Sequence, residues 1–214
     1  MIYVGSKSRI AKFIVPIIQQ LIDDNNIKCY VEPFVGGANV IDKVSCGRKL
    51  AYDIHEGLID IYQWAQQGWR PPTTITEQLY RDAKDGKIEE PLRSYIGFNG
   101  SYAAKYFGGF ARGWKPNGAP RNMYEERTRN FFRQIPSLLD IEFRPATFEQ
   151  LSFSDALIYC DPPYEGTTKY KTGSFNHTLF WDWVRQQSQN NIVLVSEFKS
   201  PADFKSLWER ESIA

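Results

Sequence analysis

The apolar positions near the start of the chain follow a helical period. Between Arg9 and Asp24 they recur at the i, i+3, i+4, i+7 spacing of an amphipathic helix. They are Ile10, Phe13, Ile14, Ile17, Ile18, Leu21 and Ile22. Pro16 lies inside this pattern, and because proline removes an interior hydrogen bond we expect the helix to kink or restart there.

Farther along, short apolar runs alternate with helical patterns. Strands are predicted over 28–32, 49–52, 141–144, 156–160 and 191–196. Helices are predicted over 38–44 and 56–66, and a Pro/Thr-rich break over 69–76. From about residue 70 to 135 the strand–helix rhythm is lost. Such alternation indicates an α/β protein with a mostly parallel sheet, so we predict one α/β domain (1–66 and 136–214) interrupted by an inserted module (67–135).

Composition excludes several classes of protein. Of 214 residues, 42% are hydrophobic and 24% charged, which is typical of globular proteins and not of disordered or fibrous ones. The net charge of +1 indicates no particular partner. No apolar run approaches the roughly 20 residues of a membrane helix, and no secretory signal is visible. Three cysteines without a CxxC pair and two histidines make a zinc site or disulfide framework unexpected. We therefore predict a cytoplasmic protein that binds no metal.

The acidic residues are unevenly distributed. The segment from Pro91 to Tyr124 contains no Asp or Glu, where about four would be expected at the chain average. Its five basic residues are Arg93, Lys105, Arg112, Lys115 and Arg121, and its eight aromatic residues are Tyr95, Phe98, Tyr102, Tyr106, Phe107, Phe110, Trp114 and Tyr124. Six glycines predict a poor helix. This mixture suits phosphate contact with base stacking, but it equally suits a solvated loop with a local aromatic cluster.

Two of the predicted strands end in residues suited to a nucleoside. In a parallel sheet, ligands bind beyond the carboxyl ends of the strands. The first strand runs into Glu32-Pro33-Phe34-Val35-Gly36-Gly37, whose glycines allow close approach of backbone to a ligand. The second ends at Asp53, which is placed to accept hydrogen bonds from two ribose hydroxyls. The alternatives are an ordinary glycine turn and a helix N-cap. Since the pattern is not GxGxxG, a nucleoside-containing cofactor is favoured over a dinucleotide.

The strand over 156–160 leads into Asp161-Pro162-Pro163-Tyr164. The two prolines stiffen this turn, and neither can donate a backbone hydrogen bond. The turn therefore presents two acceptors, the Asp161 carboxylate and the Pro162 carbonyl, which suit an amino group with two hydrogens. Tyr164 adds a flat face for stacking. The alternative is a proline-rich turn after a buried strand.

These motifs together resemble those of a known family. DPPY after a strand, with VEPFVGG near the N-terminus, resembles the Dam-like (class alpha, D12 type) DNA adenine-N6 methyltransferases. Tyr3-Val4-Gly5-Ser6-Lys7 resembles that family's N-terminal cofactor motif, with Ser6 in place of a second glycine. Asp53-Ile54-His55-Glu56 resembles its D-x-N segment with His55 for Asn, and Phe98-Asn99-Gly100 resembles its FNG segment. The resemblance spans residues 3 to about 205, and the motif order implies class alpha.

The resemblance implies a fold and an activity. The fold would be a Rossmann-like, mostly parallel S-adenosylmethionine-dependent methyltransferase sheet with an inserted target-recognition module built largely of helices and loops. The activity would be transfer of a methyl group from S-adenosylmethionine to N6 of adenine in a specific double-stranded DNA sequence, after the base is flipped out of the stack. Such enzymes are bacterial or phage-encoded, and many belong to restriction-modification systems. The alternatives are N4-cytosine or RNA amino-methylation with the same loop, or a catalytically inactive DNA-binding relative.

The resemblance and the residue pattern together assign roles. The catalytic residues are predicted to be Asp161, Pro162, Pro163 and Tyr164. The cofactor-binding residues are predicted to be Tyr3, Lys7, Glu32, Phe34, Gly36, Asp53 and Asp161. The DNA-binding residues are predicted to be Arg93, Asn99, Lys105, Arg112, Lys115 and Arg121. The chain departs from the family at Thr147-Phe148, where many relatives have an acid beside Phe, and at Ser196-Glu197-Phe198, where a Ser-Asn-polar pattern is commoner.

Overall fold

A computed structural model describes residues 1–165 and 175–210. Its strands are β1 (Cys29–Glu32), β2 (Arg48–Asp53), β3 (Gly113–Trp114), β4 (Pro120–Arg121), β5 (Ile141–Pro145), β6 (Ala156–Cys160) and β7 (Ile192–Val195). Its α-helices are α1 (Ala11–Asp24), α2 (Glu56–Gln66), α3 (Glu77–Lys84), α4 (Leu92–Asn99), α5 (Met123–Gln134) and α6 (His177–Gln187).

The central sheet is parallel throughout its five strands. They lie in the order β5-β2-β1-β6-β7, and β3 and β4 form a separate small antiparallel hairpin. From β1 the chain proceeds to one side through β2 and β5, whereas β6 and β7 lie on the other side. The strand order thus reverses between β1 and β6, and ligands bind parallel sheets at such a switch point. The predicted Rossmann-like α/β fold is confirmed.

Alternate residues of the strands pack into two cores. On one face, Tyr30 of β1 and Leu157 of β6 join the buried apolar sides of α1 and α2. On the other face, Val31 and Ile158 pack with α6. Successive side chains of a strand point to opposite faces, so a strand buried on both sides must be apolar throughout. This is why short continuous apolar runs marked the strands in the sequence.

The predicted strands match the observed ones to within one residue at each end, and helix 56–66 matches α2. The first helix continues through Pro16 without a restart. The helix expected over 38–44 is wrong. Residues 38–44 contain only a 3-10 turn, Ile41–Lys43. Ala38 adopts a left-handed backbone conformation (φ 54°), so the chain cannot enter an α-helix there.

The inserted segment is more helical than its glycines suggested. The expectation of a poor helix over 91–124 is wrong at its start, where α4 forms. Gly97 lies inside this helix, and a Cβ there would come within 2.5 Å of the Tyr106 ring. The glycine is therefore required because two aromatic rings, Tyr106 and Phe107, pack directly against the helix backbone.

The inserted segment shares its core with the sheet. Phe131 of α5 is completely buried, and its ring lies 5.3 Å from Tyr95 of α4 and 6.4 Å from Tyr62 of α2. Gln134, at the end of α5, donates to the backbone carbonyls of Gly37 and Ala38. These contacts cross the predicted boundaries at residues 66 and 136, so the segment packs as part of the same body.

Across residues 1–165 and 175–210, every helix is too short or too polar to span a membrane.

Candidate active site

Three loops meet at the carboxyl edge of the sheet. The loop after β1 and the Asp161-Pro162-Pro163-Tyr164 loop after β6 lie on either side of the switch point, because β1 and β6 are neighbours. The end of β2, with Asp53, lies beside β1. The fold therefore brings the loop after β1 and Asp53 together with a loop that follows Asp53 by 108 residues in the sequence.

Lys7 completes the loop after β6. Its Nζ lies 2.6 Å from Oδ1 of Asp161 and 4.7 Å from the centre of the Tyr164 ring. It also donates to the Gly5 carbonyl at 3.1 Å. The residue assigned to cofactor binding by resemblance is thus in direct contact with the predicted catalytic residues.

Burial dominates the electrostatics of this loop. It raises the pKa of Asp161, while the charge and hydrogen bond of Lys7 and a hydrogen bond from Tyr164 act in the opposite direction. The hydroxyl of Tyr164 has its own pKa raised, by burial and then by the negative charge of Asp161. Cys160 is completely buried in β6 and its thiol pKa is raised well above the usual value, as befits a core residue and not a nucleophile.

A second acid lies next to Asp161. Glu32, at the end of β1, is buried, and its Oε1 accepts a 2.8 Å hydrogen bond from the Tyr30 hydroxyl. Burial, together with the negative charges of Asp161 and Asp42, raises the pKa of Glu32 to about 8, although the hydrogen bond from Tyr30 acts in the opposite direction. At neutral pH this side chain is mostly protonated, and a cation arriving beside it would favour its ionised form.

Asp53 is held by two backbone amides. Its Oδ2 accepts from the Gly36 N–H at 3.1 Å and its Oδ1 from the His55 N–H at 3.0 Å. A carboxylate offers about four acceptor positions, so about two remain for a ligand. Burial raises the pKa of Asp53 to about 6. The N-cap of α2 is His55, whose Nδ1 accepts from the Leu58 N–H, so the alternative of Asp53 as the cap is excluded.

The glycine pair admits the N-terminal segment. A Cβ on Gly36 would lie 2.8 Å from the Tyr3 ring, and one on Gly37 would lie 2.5 Å from the Met1 carbonyl. Gly36 also has a left-handed backbone (φ 46°). The lack of side chains here lets Tyr3 pack against the loop, which in turn brings Lys7 to Asp161.

A cavity of about 310 Å³ opens beside Asp53. It lies at the carboxyl ends of β2 and β5 and is lined by Ile54, Glu56, Pro145, Ala146, Thr147 and Gln150. Ile54 is well exposed for an apolar side chain. Thr147, at the departure from the family pattern, forms a capping box with Gln150. Sequence reasoning missed this cavity, because β2 and β5 become neighbours only in the observed sheet order.

Phe34 is half-buried and belongs mainly to the second core. Its ring packs against Phe148, Phe175 and Phe180 at 5.7 to 5.9 Å. His55 contributes to the other aromatic cluster, with its ring 4.9 Å from Phe98 and 4.5 Å from Tyr106. These aromatic contacts support the walls of the site and fix its loops.

The acid-free segment turns most of its aromatic rings inward. Tyr95, Phe98, Phe107 and Tyr124 are buried. Two rings remain on the surface, Tyr102 at 67% and Trp114 at 70% exposure. Most rings therefore form a local core, and two are exposed on the surface. The interpretation of the segment as a DNA contact stays a prediction.

The basic residues of the segment fall into two groups, paired arginines and exposed lysines. Three arginines pair with acids that lie outside it: Arg93 with Glu90, Arg112 with Glu77, and Arg121 with Glu126. Lys105 and Lys115 are exposed and form no ion pair within the described ranges. The fold thus reduces the local positive charge that the sequence suggested.

Asn99 lies inside the protein. It is fully buried, and its Nδ2 donates to the Tyr95 carbonyl. Its own backbone carbonyl accepts from the buried Arg127 guanidinium, which also donates to the Ser101 carbonyl. The FNG turn is therefore fixed from beneath by Arg127, a residue that sequence reasoning did not single out.

Comparison with known proteins finds a similar family. A model of the D12 class N6 adenine-specific DNA methyltransferases matches residues 3–96, which include Lys7, the loop after β1 and Asp53. The match covers just under half of the chain, which is thus similar to this family over its N-terminal part. The D12 resemblance inferred from the motifs is thereby confirmed.

Three relatives named as methylases or methyltransferases are similar over most of the chain. The modification methylase StsI of Streptococcus sanguinis is 25% identical over 85% of this chain and 30% of its own length. The DNA adenine methylase of Escherichia coli K12 is 27% identical over 69% of this chain and 62% of its own length. The type II methyltransferase M.FokI of Planomicrobium okeanokoites is 24% identical over 96% of this chain and 34% of its own length. The chain thus spans between about one third and two thirds of the D12 relatives it matches.

Proposed function

We propose that this protein transfers the methyl group of S-adenosylmethionine to N6 of adenine in double-stranded DNA. The observation that carries the proposal is the position of Asp161 at the switch point, on a proline-stiffened loop and beside Lys7. Similarity to the D12 family over residues 3–96 supports the same reaction, as does similarity to relatives named as DNA adenine methylases and modification methylases.

The residues at the sheet edge fit the cofactor. S-adenosylmethionine supplies an electrophilic methyl group when bound, and it carries positive charge on its sulfonium and amino groups. Glu32 and Asp161 are two acids that complement such charge. Asp53 retains acceptor capacity for ribose hydroxyls. The cavity beside it, with Ile54 on its wall, offers an apolar surface for the adenine ring of the cofactor.

The loop after β6 would activate the amino group of the target. The N6 lone pair of adenine is delocalised into the ring, so the free base is a poor nucleophile. The Asp161 carboxylate and the Pro162 carbonyl would accept its two hydrogens, which favours a more tetrahedral nitrogen with its lone pair directed at the methyl group. Tyr164 would stack on the base. Catalysis then comes from position and from acceptors fixed before the reaction begins, and the base must leave the duplex to reach them.

The inserted segment 67–135 would contact the DNA. Its exposed cations Lys105 and Lys115 suit phosphates, and its exposed rings Tyr102 and Trp114 suit bases. Arg112 and Arg121 could join them by exchanging their surface acids for phosphates, since surface ion pairs are worth little. The buried Asn99 would support this surface from within.

One assay tests the reaction. Double-stranded DNA is incubated with methyl-labelled S-adenosylmethionine and digested to nucleosides. We expect the label in N6-methyladenine. Label in N4-methylcytosine would identify the other amino-methylation, label in RNA offered in parallel would change the substrate class, and absence of label with retained DNA binding would indicate an inactive relative.

Asp53→Asn is expected to weaken cofactor binding by about 10- to 150-fold, since one charge-assisted hydrogen bond is worth about 1.5–3 kcal/mol. Wild-type affinity should fall below pH of about 6, where Asp53 becomes protonated, because its pKa is raised to about 6 and only the carboxylate accepts freely from both hydroxyls. In Asp53→Asn, cofactor affinity should no longer fall below this pH, because the amide does not titrate. Calorimetric titration across pH 5–8 measures both effects, with exposed Glu149→Gln as the control. Unchanged affinity and an unchanged pH step in Asp53→Asn would remove Asp53 from the cofactor site.

Lys105→Ala/Lys115→Ala is expected to lower the salt dependence of DNA binding. Each lost phosphate contact reduces the slope of log affinity against log salt by roughly 0.9, so two contacts give about 1.8. Fluorescence anisotropy with a labelled duplex at several salt concentrations measures the slope. The control, Lys28→Ala/Arg48→Ala, removes the same charge from the amino end of the sheet, where β1 and β2 begin. Equal slopes for the wild type and the Lys105/Lys115 variant would show that this surface faces away from DNA.

A further inference from the structure

The Lys7–Asp161 ion pair is the closest charge contact of the site. The 2.6 Å separation joins two side chains that are both largely withdrawn from solvent, with exposures of 11% and 20%. Among the described groups whose charge acts on Asp161, Lys7 is the one cation. Asp161 is the proposed acceptor of the amino hydrogens, so a contact this close affects the orientation and the charge of its carboxylate.

Lys7 is itself firmly placed. It begins a 3-10 helix (Lys7–Arg9) whose N-cap, Ser6, accepts from the Ser8 N–H. The Asn39 side chain donates to both the Ser6 hydroxyl and the Met1 carbonyl. The N-terminal segment is therefore tied to the loop after β1, and Lys7 reaches Asp161 from a prearranged position.

We propose that Lys7 fixes the Asp161 carboxylate through this ion pair, and that it is thereby a positioning residue for methyl transfer and not a cofactor contact alone. The inference rests on the proposed function. Asp161 can accept the amino hydrogens of a base only as a correctly oriented carboxylate. An ammonium group held at one oxygen fixes the rotation of the carboxylate and favours its charged form.

The surroundings of Asp161 make this cation necessary. Glu32 from β1, Tyr159 and Cys160 from β6, and Tyr164 from the loop all lie close enough to interact with its charge. None of them is positive, and burial already raises the pKa of Asp161. Loss of Lys7 would therefore raise the pKa of Asp161 further. A protonated Asp161 carboxyl would have one oxygen fewer that can accept an amino hydrogen of the base.

The first test is a pH profile. With cofactor and DNA both saturating, Lys7→Met should move the acidic limb of kcat to higher pH by about 1–3 units, the usual effect of a neighbouring opposite charge. Lys7→Arg should recover most of the shift, and Lys12→Met, which removes an exposed lysine from the first turn of α1, should leave the profile unchanged. A Lys7→Met variant with a raised cofactor KM but a wild-type profile would show Lys7 to be a cofactor contact only.

The second test needs no catalysis. The carboxyl carbon of Asp161 is followed by NMR in protein labelled with ¹³C at aspartate, and its resonance is assigned by its absence from Asp161→Asn. The resonance should titrate at higher pH in Lys7→Met than in the wild type. Coincident titrations would overturn the inference. If the wild type methylated no DNA while the two titrations differed, the proposed methyl transfer would be contradicted. The effect of Lys7 on the Asp161 carboxylate would still be supported.

Discussion

Asp161→Ala is expected to reduce methyl transfer by at least 10²–10³-fold, because loss of one well-placed polar group at a reacting centre costs about that much. Affinity for duplex DNA should stay close to that of the wild type, since it is mostly electrostatic and resides in the inserted segment. Single-turnover methylation and anisotropy on the same preparation separate the two quantities. Cofactor affinity should also change, because Lys7 loses its partner.

Asp161→Asn refines this expectation. The amide keeps one acceptor oxygen but adds an NH₂ group that would oppose the amino hydrogens of adenine when turned toward them. We expect severe impairment with residual activity, in contrast to the alanine variant. Asp24→Ala, an exposed acid at the end of α1, is the control for loss of a negative charge. If Asp161→Ala methylated DNA near the wild-type rate, Asp161-Pro162-Pro163-Tyr164 would be only a turn.

The strands of the sheet could be predicted from the sequence because a strand that is buried on both faces consists of a short continuous apolar run. Strands such as Ala156–Cys160 are continuous apolar runs, and a residue such as Asp53 directly after one must lie at the sheet edge. The helix expected over 38–44 failed for a local reason. Ala38 has a left-handed backbone directly after the glycine pair Gly36 and Gly37, and neither its residue type nor the apolar pattern signals that conformation.

The site was predicted less completely than the fold. Motif positions located Asp161 and Asp53. The ion pairs could not be predicted in this way, because they form between residues that lie far apart in the sequence. Lys7 meets Asp161 across 154 positions of the chain. Arg112 meets Glu77 across 35 positions, so an acid-free stretch of sequence is not an acid-free surface. The cavity beside Ile54 is formed by the ends of two strands that only the sheet order makes neighbours.

Phe131→Ala is expected to lower the free energy of unfolding by about 3–5 kcal/mol, the usual cost of truncating a buried aromatic side chain. Phe131 is completely buried between Tyr62 and Tyr95, so the substitution opens a cavity where the sheet layer meets the inserted segment. Typical domains are stable by only about 5–15 kcal/mol, so the loss should be conspicuous in chemical denaturation. Leu139→Ala, which truncates an exposed side chain, should change stability by no more than about 0.5 kcal/mol.

The same substitution decides whether the inserted segment folds independently. Because the core is continuous from β1 and β6 into α4 and α5, one cooperative unit is expected. Hydrogen exchange followed by mass spectrometry should then show α4 and β6 losing equal protection free energy in Phe131→Ala. If protection fell in peptides from α3 to α5 while β6 kept its wild-type value, residues 67–135 would be a separate folding unit, and the target-recognition surface could move relative to Asp161. Equal losses would instead mean that the proposed DNA surface and the catalytic loop are held by one core, so that the distance between them is set by the fold before DNA binds.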